Sequence, residues 1–150
     1  MTIYFYTTSG DYGAFSNFSR HGFMLDGKYW KTSEHYFQAM KFEGTEYEDK
    51  VREALSPKEA ATIGRRRDLP LRKDWEDVKD EIMHRAVLKK FQTHEDLKKV
   101  LLSTGNQAIV ENAPSDYYWG CGQDGTGKNM LGHILMKVRE KLKTNNQQKS

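Results

Sequence analysis

A single cysteine, Cys121, stands in this 150-residue chain, which excludes an internal disulfide and suits a reducing compartment. No apolar run approaches the length of a membrane span. The opening residues, Met1-Thr2-Ile3-Tyr4-Phe5-Tyr6, lack a basic stretch followed by an apolar one, so no signal peptide is expected. These absences point to the cytoplasm and away from a membrane. There is no internal repeat and no linker. The net charge of +3 is too weak to demand nucleic acid, although it suits a small anionic ligand. The histidines, His21, His35, His84, His94 and His133, show no ligand spacing such as i, i+4, so no metal is expected.

What is present describes a folded domain. Hydrophobic residues make up 37% and charged residues 30%, which is polar for a globular chain, but 12% aromatics argue against disorder. The length suits one domain with one core, here residues 1–143. The segment 144–150, rich in Asn, Gln and Lys, reads as a disordered tail.

Ile3 to Tyr6 is expected to be a strand. Phe23-Met24-Leu25, Asp26-Gly27 and Lys28-Tyr29-Trp30 read as a hairpin, because Asp-Gly tolerates the positive φ angles of a type I′ turn. A first helix is predicted over 33–43 with Gly44 as its stop, and a second over 46–55. Ser56-Pro57-Lys58-Glu59 is a capping box with proline at the first helical position, and its helix should end at Gly64. Asp74 is expected to cap a long helix from Trp75 to about Phe91. Thr93 should cap another that ends at Gly105. Ala108 to Glu111 can be a strand, residues 114–128 a loop, and the last helix starts near Asn129. The fold class is therefore α+β: a helix-rich single domain with a small sheet or hairpin in its N-terminal third.

One helix carries an unusual pattern. At about 100° per residue, Glu34, Gln38 and Lys41 fall on one narrow stripe, while Tyr36, Phe37, Ala39, Met40 and Phe42 cover the rest of the cylinder. A helix apolar on most sides is usually buried. Its carboxylate, amide and amine then need partners, in an internal network or around a cavity, or the stripe simply faces water. His35 by itself fits a structural histidine better than a catalyst.

Two loops and one basic run are the other candidates. Gly122-Gln123-Asp124-Gly125-Thr126-Gly127-Lys128-Asn129 has the glycine and lysine spacing of a P-loop. It lacks the Ser or Thr that must follow the lysine and the buried strand that must precede the loop, so a nucleotide triphosphatase is not expected. A glycine-rich loop entering a helix can still offer N–H groups to an anion, with Lys128 adding charge, or it can be only a cap. Tyr117, Tyr118 and Trp119 can stack on a heterocyclic base or belong to the core. Asp11 to Ser19 is another loop of small and aromatic residues. Arg65-Arg66-Arg67 can bind a phosphate or form a solvated cluster.

Together the segments resemble the NADAR (YbiA-like) family. The matching residues are Phe15-Ser16-Asn17-Phe18, Trp30-x-Thr32-Ser33-Glu34-His35-Tyr36-Phe37-Gln38-Ala39-x-Lys41-Phe42, Gly64-Arg65, Arg72-x-Asp74-Trp75, Tyr118-Trp119-Gly120-x-Gly122 and Gly127-Lys128-Asn129-x-Leu131-Gly132. They run in order from residue 15 to residue 132, and Cys121 occupies a variable place between two glycines.

The resemblance implies hydrolysis of an N-glycosidic bond without a cofactor. It is a bond either in phosphoribosylamino-pyrimidine intermediates of riboflavin synthesis or between ADP-ribose and guanine in nucleic acid. A module that only binds ADP-ribose is the non-enzymatic alternative. The partner is then a nucleotide-like small molecule, or ADP-ribosylated nucleic acid, with no obligate protein partner. Glycosidases commonly use two carboxyl groups. Glu34 is the first candidate for acid/base work, and Asp116 is a second carboxylate or a turn former. An amine route would use Lys41, with Lys128 as its competitor, to form a Schiff base at C1′. Substrate binding is expected of Asn17, Phe18, His35, Tyr36, Gln38, Arg65, Trp75, Trp119, Gly120, Lys128 and Asn129.

Overall fold

A computed structural model describes residues 1–149, except for the side chains of residues 146–149. The elements run β1 (Thr2–Phe5), β2 (Phe23–Leu25), β3 (Lys28–Trp30), α1 (Ser33–Ala39), α2 (Glu46–Arg52), α3 (Pro57–Gly64), α4 (Trp75–Thr93), α5 (Glu95–Ser103), β4 (Ala108–Glu111) and α6 (Met130–Lys149). Short 3-10 turns lie at Gly13–Phe15 and Met40–Phe42. The fold is α+β, as the patterning predicts. The residues sort into two compact units, one of Met1–Ser16 with the chain from Phe91 onward, the other Asn17–Lys90.

In the Asn17–Lys90 unit the hairpin forms at the predicted residues. Asp26 and Gly27 take φ angles of 55° and 78°, the type I′ requirement. The turn also anchors α1: the Tyr36 hydroxyl donates to Asp26 Oδ2 at 2.8 Å, and Trp30 stands edge-on to Tyr36 at 5.0 Å. Three helices in this unit begin on side-chain caps. Thr32 accepts from the His35 N–H, Thr45 from Tyr47, and Ser56 from Glu59. The Glu59 carboxylate reaches back to the Leu55 N–H, so its capping box closes one residue further out than the ideal pattern. The first helix is shorter than predicted. After Ala39 the chain tightens into the 3-10 turn, where the Arg72 guanidinium donates to the Met40 carbonyl and the Arg72 backbone N–H donates to the Lys41 carbonyl.

In the other unit, β1 pairs in parallel with β4, Ile3 opposite Ile109. The small sheet is therefore split in two, a hairpin and a parallel pair, and is not confined to the N-terminal third. Parallel pairing joins strands about a hundred residues apart, a contact that no local pattern encodes. Thr93 proves to be the last residue of α4, and His94 occupies the N-cap of α5 without a side-chain cap bond. Leu131, Ile134, Leu135, Val138 and Leu142 of α6 are all buried, as their spacing predicts. α6 continues through most of the segment expected to be disordered, with the Thr144 hydroxyl on the Glu140 carbonyl; Ser150 lies outside the described residues. That segment has no Gly or Pro, and its Gln and Lys residues suit a helix. Among the described residues no helix is long and apolar enough to cross a membrane.

α6 lies close against β4, and Gly132 is where it does so. A Cβ there would collide with the Ile109 carbonyl oxygen and the Asn129 amide. Gly132→Ala should therefore cost about 1–3 kcal/mol, read as a lower urea midpoint. An unchanged midpoint would show that this approach is not a constraint.

Candidate active site

Helix α1 is buried along its whole length, and its polar stripe is buried with it. Glu34, Gln38 and Lys41 are 7%, 3% and 6% exposed. The solvated-stripe alternative is thus excluded, and partners are required. The Gln38 amide donates through Nε2 to Glu34 Oε1 at 2.8 Å, a contact between consecutive turns. Among the described residues its Oε1 has no hydrogen-bond partner. The amide lies so close to Gly64, at the end of α3, that a Cβ there would overlap it.

Lys41 follows in the 3-10 turn. Its ammonium donates to the Gly64 carbonyl at 3.2 Å and lies 5.8 Å and 5.6 Å from the centroids of the Phe37 and Trp75 rings. Those rings pack edge-to-face at 5.0 Å. The Lys41 amine is pulled down to about 8, first by loss of hydration and then by the Arg67 guanidinium; of the smaller influences Glu34 raises it, Arg65 lowers it and Glu76 raises it.

Several predicted ligands turn out to support this cluster. His35 is fully buried. Its Nε2 faces the Ala54 carbonyl at 3.0 Å, so that nitrogen must donate, and Nδ1 accepts from the Thr32 hydroxyl at 2.7 Å. Both ring nitrogens are committed within the protein, and burial lowers the ring's pKa. As a substrate ligand His35 is withdrawn; it ties α1 to the end of α2. Tyr36 is equally buried with its hydroxyl on Asp26, and burial followed by that carboxylate pushes the phenol up. Asn17 secures the start of α1. Its backbone carbonyl takes the Glu34 N–H, its side-chain oxygen takes the Ser33 hydroxyl at 2.8 Å, and its Nδ2 lies 3.3 Å from the Met83 sulfur. Phe18 is 37% exposed.

The glycine-rich loop belongs to the other unit and answers the question of an anion cradle. The N–H groups of Lys128, Asn129, Met130 and Leu131 are taken by the carbonyls of Tyr117, Gly120, Tyr118 and Trp119. The loop is therefore a cap on α6, and its amides are occupied. Asn129, at φ 51°, clasps β4: its Oδ1 accepts from the Glu111 N–H and its Nδ2 donates to the Ile109 carbonyl, both at 2.9 Å. Asp116 is a turn former, accepting through Oδ1 from the N–H groups of Tyr118 and Trp119. Gly120 leaves no room for a Cβ against Ala113. Lys128 is exposed, with its ammonium 5.7 Å from the Tyr118 ring, and Trp119 stands edge-on to Tyr118.

The structure thus brings Glu34, Gln38, Lys41, Trp75 and Arg65 into one neighbourhood. It sets Asp116, Asn129, Gly120, His35, Tyr36 and Asn17 to structural tasks. Sequence reasoning missed Arg67 and Gly64 as partners of Lys41, since only the fold carries the end of α3 to α1. It also missed Lys90, fully buried on α4 and drawn down to about 7 by burial. No group of three or more His, Cys, Asp and Glu residues that could hold a metal occurs among the described residues.

A helix-rich α+β fold with a buried carboxylate on one short helix and a perturbed amine in the turn that follows defines the class: a protein whose groups suit proton transfer and nucleophilic chemistry. The chain belongs to the NADAR family, whose domain model matches residues 4–143. It is 50% identical over 140 residues to N-glycosidase YbiA of Escherichia coli, covering 93% of this chain and 88% of that one. An N-glycosidase of Nostoc punctiforme is 50% identical over 146 residues, 95% of this chain and 94% of its own length. The chloroplastic riboflavin biosynthesis protein PYRR of Zea mays is 44% identical over 93% of this chain, which spans 25% of that longer protein. The NMR structure of E. coli YbiA matches with a TM-score of 0.90 at 48% identity, covering 97% of this chain and 86% of that one.

The amine makes a prediction for stability. Lys41 binds its proton less tightly in the folded chain than in the unfolded one, where its pKa is near 10.5. Below about pH 8 it is charged in both states and its burial is a full penalty. The penalty fades as pH rises from about 8 to 10.5. Lys41→Met should therefore be more stable than wild type at pH 7, on the order of 2 kcal/mol, and urea midpoints of the two should converge by pH 10.5. A less stable variant at pH 7 would count against the buried-cation account.

Proposed function

We propose that this enzyme, an N-glycosidase of the NADAR family, hydrolyses the C1′–N bond of phosphoribosylamino-pyrimidines, with Glu34 moving protons and Lys41 forming a transient covalent link. The observation that carries this reading is the buried Glu34–Gln38 pair on the same helix face as an amine whose pKa lies near 8. At pH 7.5 such an amine is about a quarter neutral, against about one part in a thousand for an ordinary lysine. The riboflavin biosynthesis names of the maize relative and of one from Vibrio vulnificus favour a pyrimidine substrate.

The sugar ring of an N-glycosylamine opens to an imine between C1′ and the exocyclic nitrogen. The neutral Lys41 amine adds to C1′, forming a new C–N bond. The Glu34 carboxyl group gives its proton to the departing nitrogen, and the pyrimidine amine leaves with the electrons of the old bond. A lysine imine remains at C1′. Water adds to it, a proton returns through Glu34, and lysine departs, leaving ribose 5-phosphate in its aldehyde form. One water is consumed and nothing is oxidised. Gln38 orients Glu34 through Nε2, and its Oε1 accepts a donor of the substrate. Trp75 and Phe37 keep the amine poorly hydrated, and Arg65 attracts the phosphate. Phe18 is assigned to recognition of the heterocycle.

Glu34→Gln should lower kcat at least about a hundredfold while leaving the affinity for ribose 5-phosphate within a few-fold of wild type. Full turnover by this variant would remove Glu34 from the mechanism.

Borohydride added during turnover should leave a reduced ribose phosphate adduct on the Lys41 peptide, detected by mass spectrometry. An adduct on Lys128, or none, would overturn the assignment. The same preparation should cleave the pyrimidine substrate faster than an ADP-ribosylated guanine oligonucleotide. The reverse order would move the substrate to nucleic acid, and activity on neither would leave a binding module.

A further inference from the structure

The segment 65–72 carries four arginines, and the structure treats them in two ways. Arg66 is paired with Asp68 at 2.6 Å, and Arg72 with Asp74 at 2.7 Å and Glu43 at 2.9 Å. In each case the sequence supplies an aspartate two residues on. Arg65 and Arg67 have no such aspartate, and among the described residues neither has an ion-pair partner. Arg67 donates to one neutral acceptor, the Gly64 carbonyl oxygen, at 3.2 Å. Lys41 donates to that same oxygen, also at 3.2 Å. Two cationic heads thus converge on a single carbonyl, one buried and one exposed, with a third cation next to them in the chain. Like charges so placed repel unless an anion joins them. A guanidinium released from one neutral acceptor can offer a phosphate two parallel N–H groups.

We propose that Arg67 is the residue that receives the substrate's phosphate, with Arg65 beside it, and that this contact couples phosphate binding to the protonation of Lys41. The proposal rests on the N-glycosidase reading above for its substrate and adds Arg67 to that site as a specificity-determining residue. The charged groups around Lys41 give the coupling its sign. Arg67 and Arg65 favour the neutral amine, while Glu34 and Glu76 favour the charged one. A dianion seated on Arg67 cancels the largest of the cationic influences, so the amine holds its proton more tightly once phosphate is bound. The bound phosphate thus lowers the neutral fraction of Lys41 before attack and supports the cationic imine that the attack forms. The buried and unpartnered Gln38 Oε1, packed against Gly64, is a second polar group in the same place that still lacks a partner.

The test uses binding and titration on the full chain, with ribose 5-phosphate, ribose and inorganic phosphate as probes. By calorimetry, Arg67→Gln should weaken ribose 5-phosphate binding about tenfold or more and lose the preference over ribose. Arg67→Lys should retain much of the affinity, and Arg66→Gln, whose guanidinium is already paired, should behave as wild type. In lysine side-chain carbon NMR, saturating inorganic phosphate should shift the Lys41 titration upward in wild type and leave it unmoved in Arg67→Gln. Wild-type binding by Arg67→Gln, or an equal phosphate shift in both proteins, would overturn the proposal. Neither readout depends on turnover, so a wrong pyrimidine or an absent Schiff base leaves the result interpretable. Wild-type protein that binds neither phosphate nor ribose 5-phosphate would instead bring down both this proposal and the phosphorylated-substrate reading.

Discussion

The constraint on which the Asn17–Lys90 unit depends is the burial of a carboxylate and an amide on α1 together with an amine in the 3-10 turn that follows it. Removing such groups from water costs several kcal/mol unless the surroundings replace the lost hydration. The unit is organised around that replacement. Thr32 and Asn17 fix the first turn, the hairpin grips Tyr36 through Asp26, and His35 ties the helix to the end of α2. Arg72 holds the 3-10 turn that presents Lys41. None of these residues need touch a substrate for its substitution to damage the site.

The replacement is incomplete, and its gaps fall where chemistry is expected. Gln38 satisfies Glu34 with one end of its amide and leaves the other without a partner. Lys41 has a carbonyl and two aromatic rings where a stable interior amine would have a carboxylate. Rings and a carbonyl favour the cation only weakly compared with hydration, so the amine's proton is loosely held. A more stable version of this core would put a hydrocarbon at Lys41, at the expense of the proposed nucleophile.

Local signals were legible in the sequence, and long-range ones were not. Asp26-Gly27 announced its turn because only a few residues tolerate two successive positive φ angles. Ser56-Pro57-Lys58-Glu59 announced a helix start, and the 3.6-residue period of α6 announced its buried face. The stripe on α1 was visible as a pattern, but whether it faced water depended on α3, which the sequence could not place. The aspects of Asp116 and Asn129 were hidden for a related reason. A carboxylate or amide near aromatics looks the same in sequence whether it binds a ligand or a backbone, and here both bind backbone. A good cap residue is also tolerated at a helix end, so Thr93 reads as a cap in the sequence while α4 runs on to include it.

Gly64 shows how one position can join these levels. Glycine at a helix end usually serves a left-handed conformation, but here the C-cap is Arg65 at φ −87°, and Gly64 is not in the left-handed region. Its requirement is space. A side chain would occupy the volume of the Gln38 amide, and the amide is what fixes Glu34. The carbonyl of the same residue accepts from both Lys41 and Arg67. The closeness of α3 to α1 therefore sets three things at once: the orientation of the carboxylate, the placement of the amine, and the position of an unpaired guanidinium beside it. That closeness also gives a physical reason for the Gly-Arg pair in the family resemblance. The glycine admits the glutamine, and the arginine that follows begins the run of cations at the edge of the buried cluster.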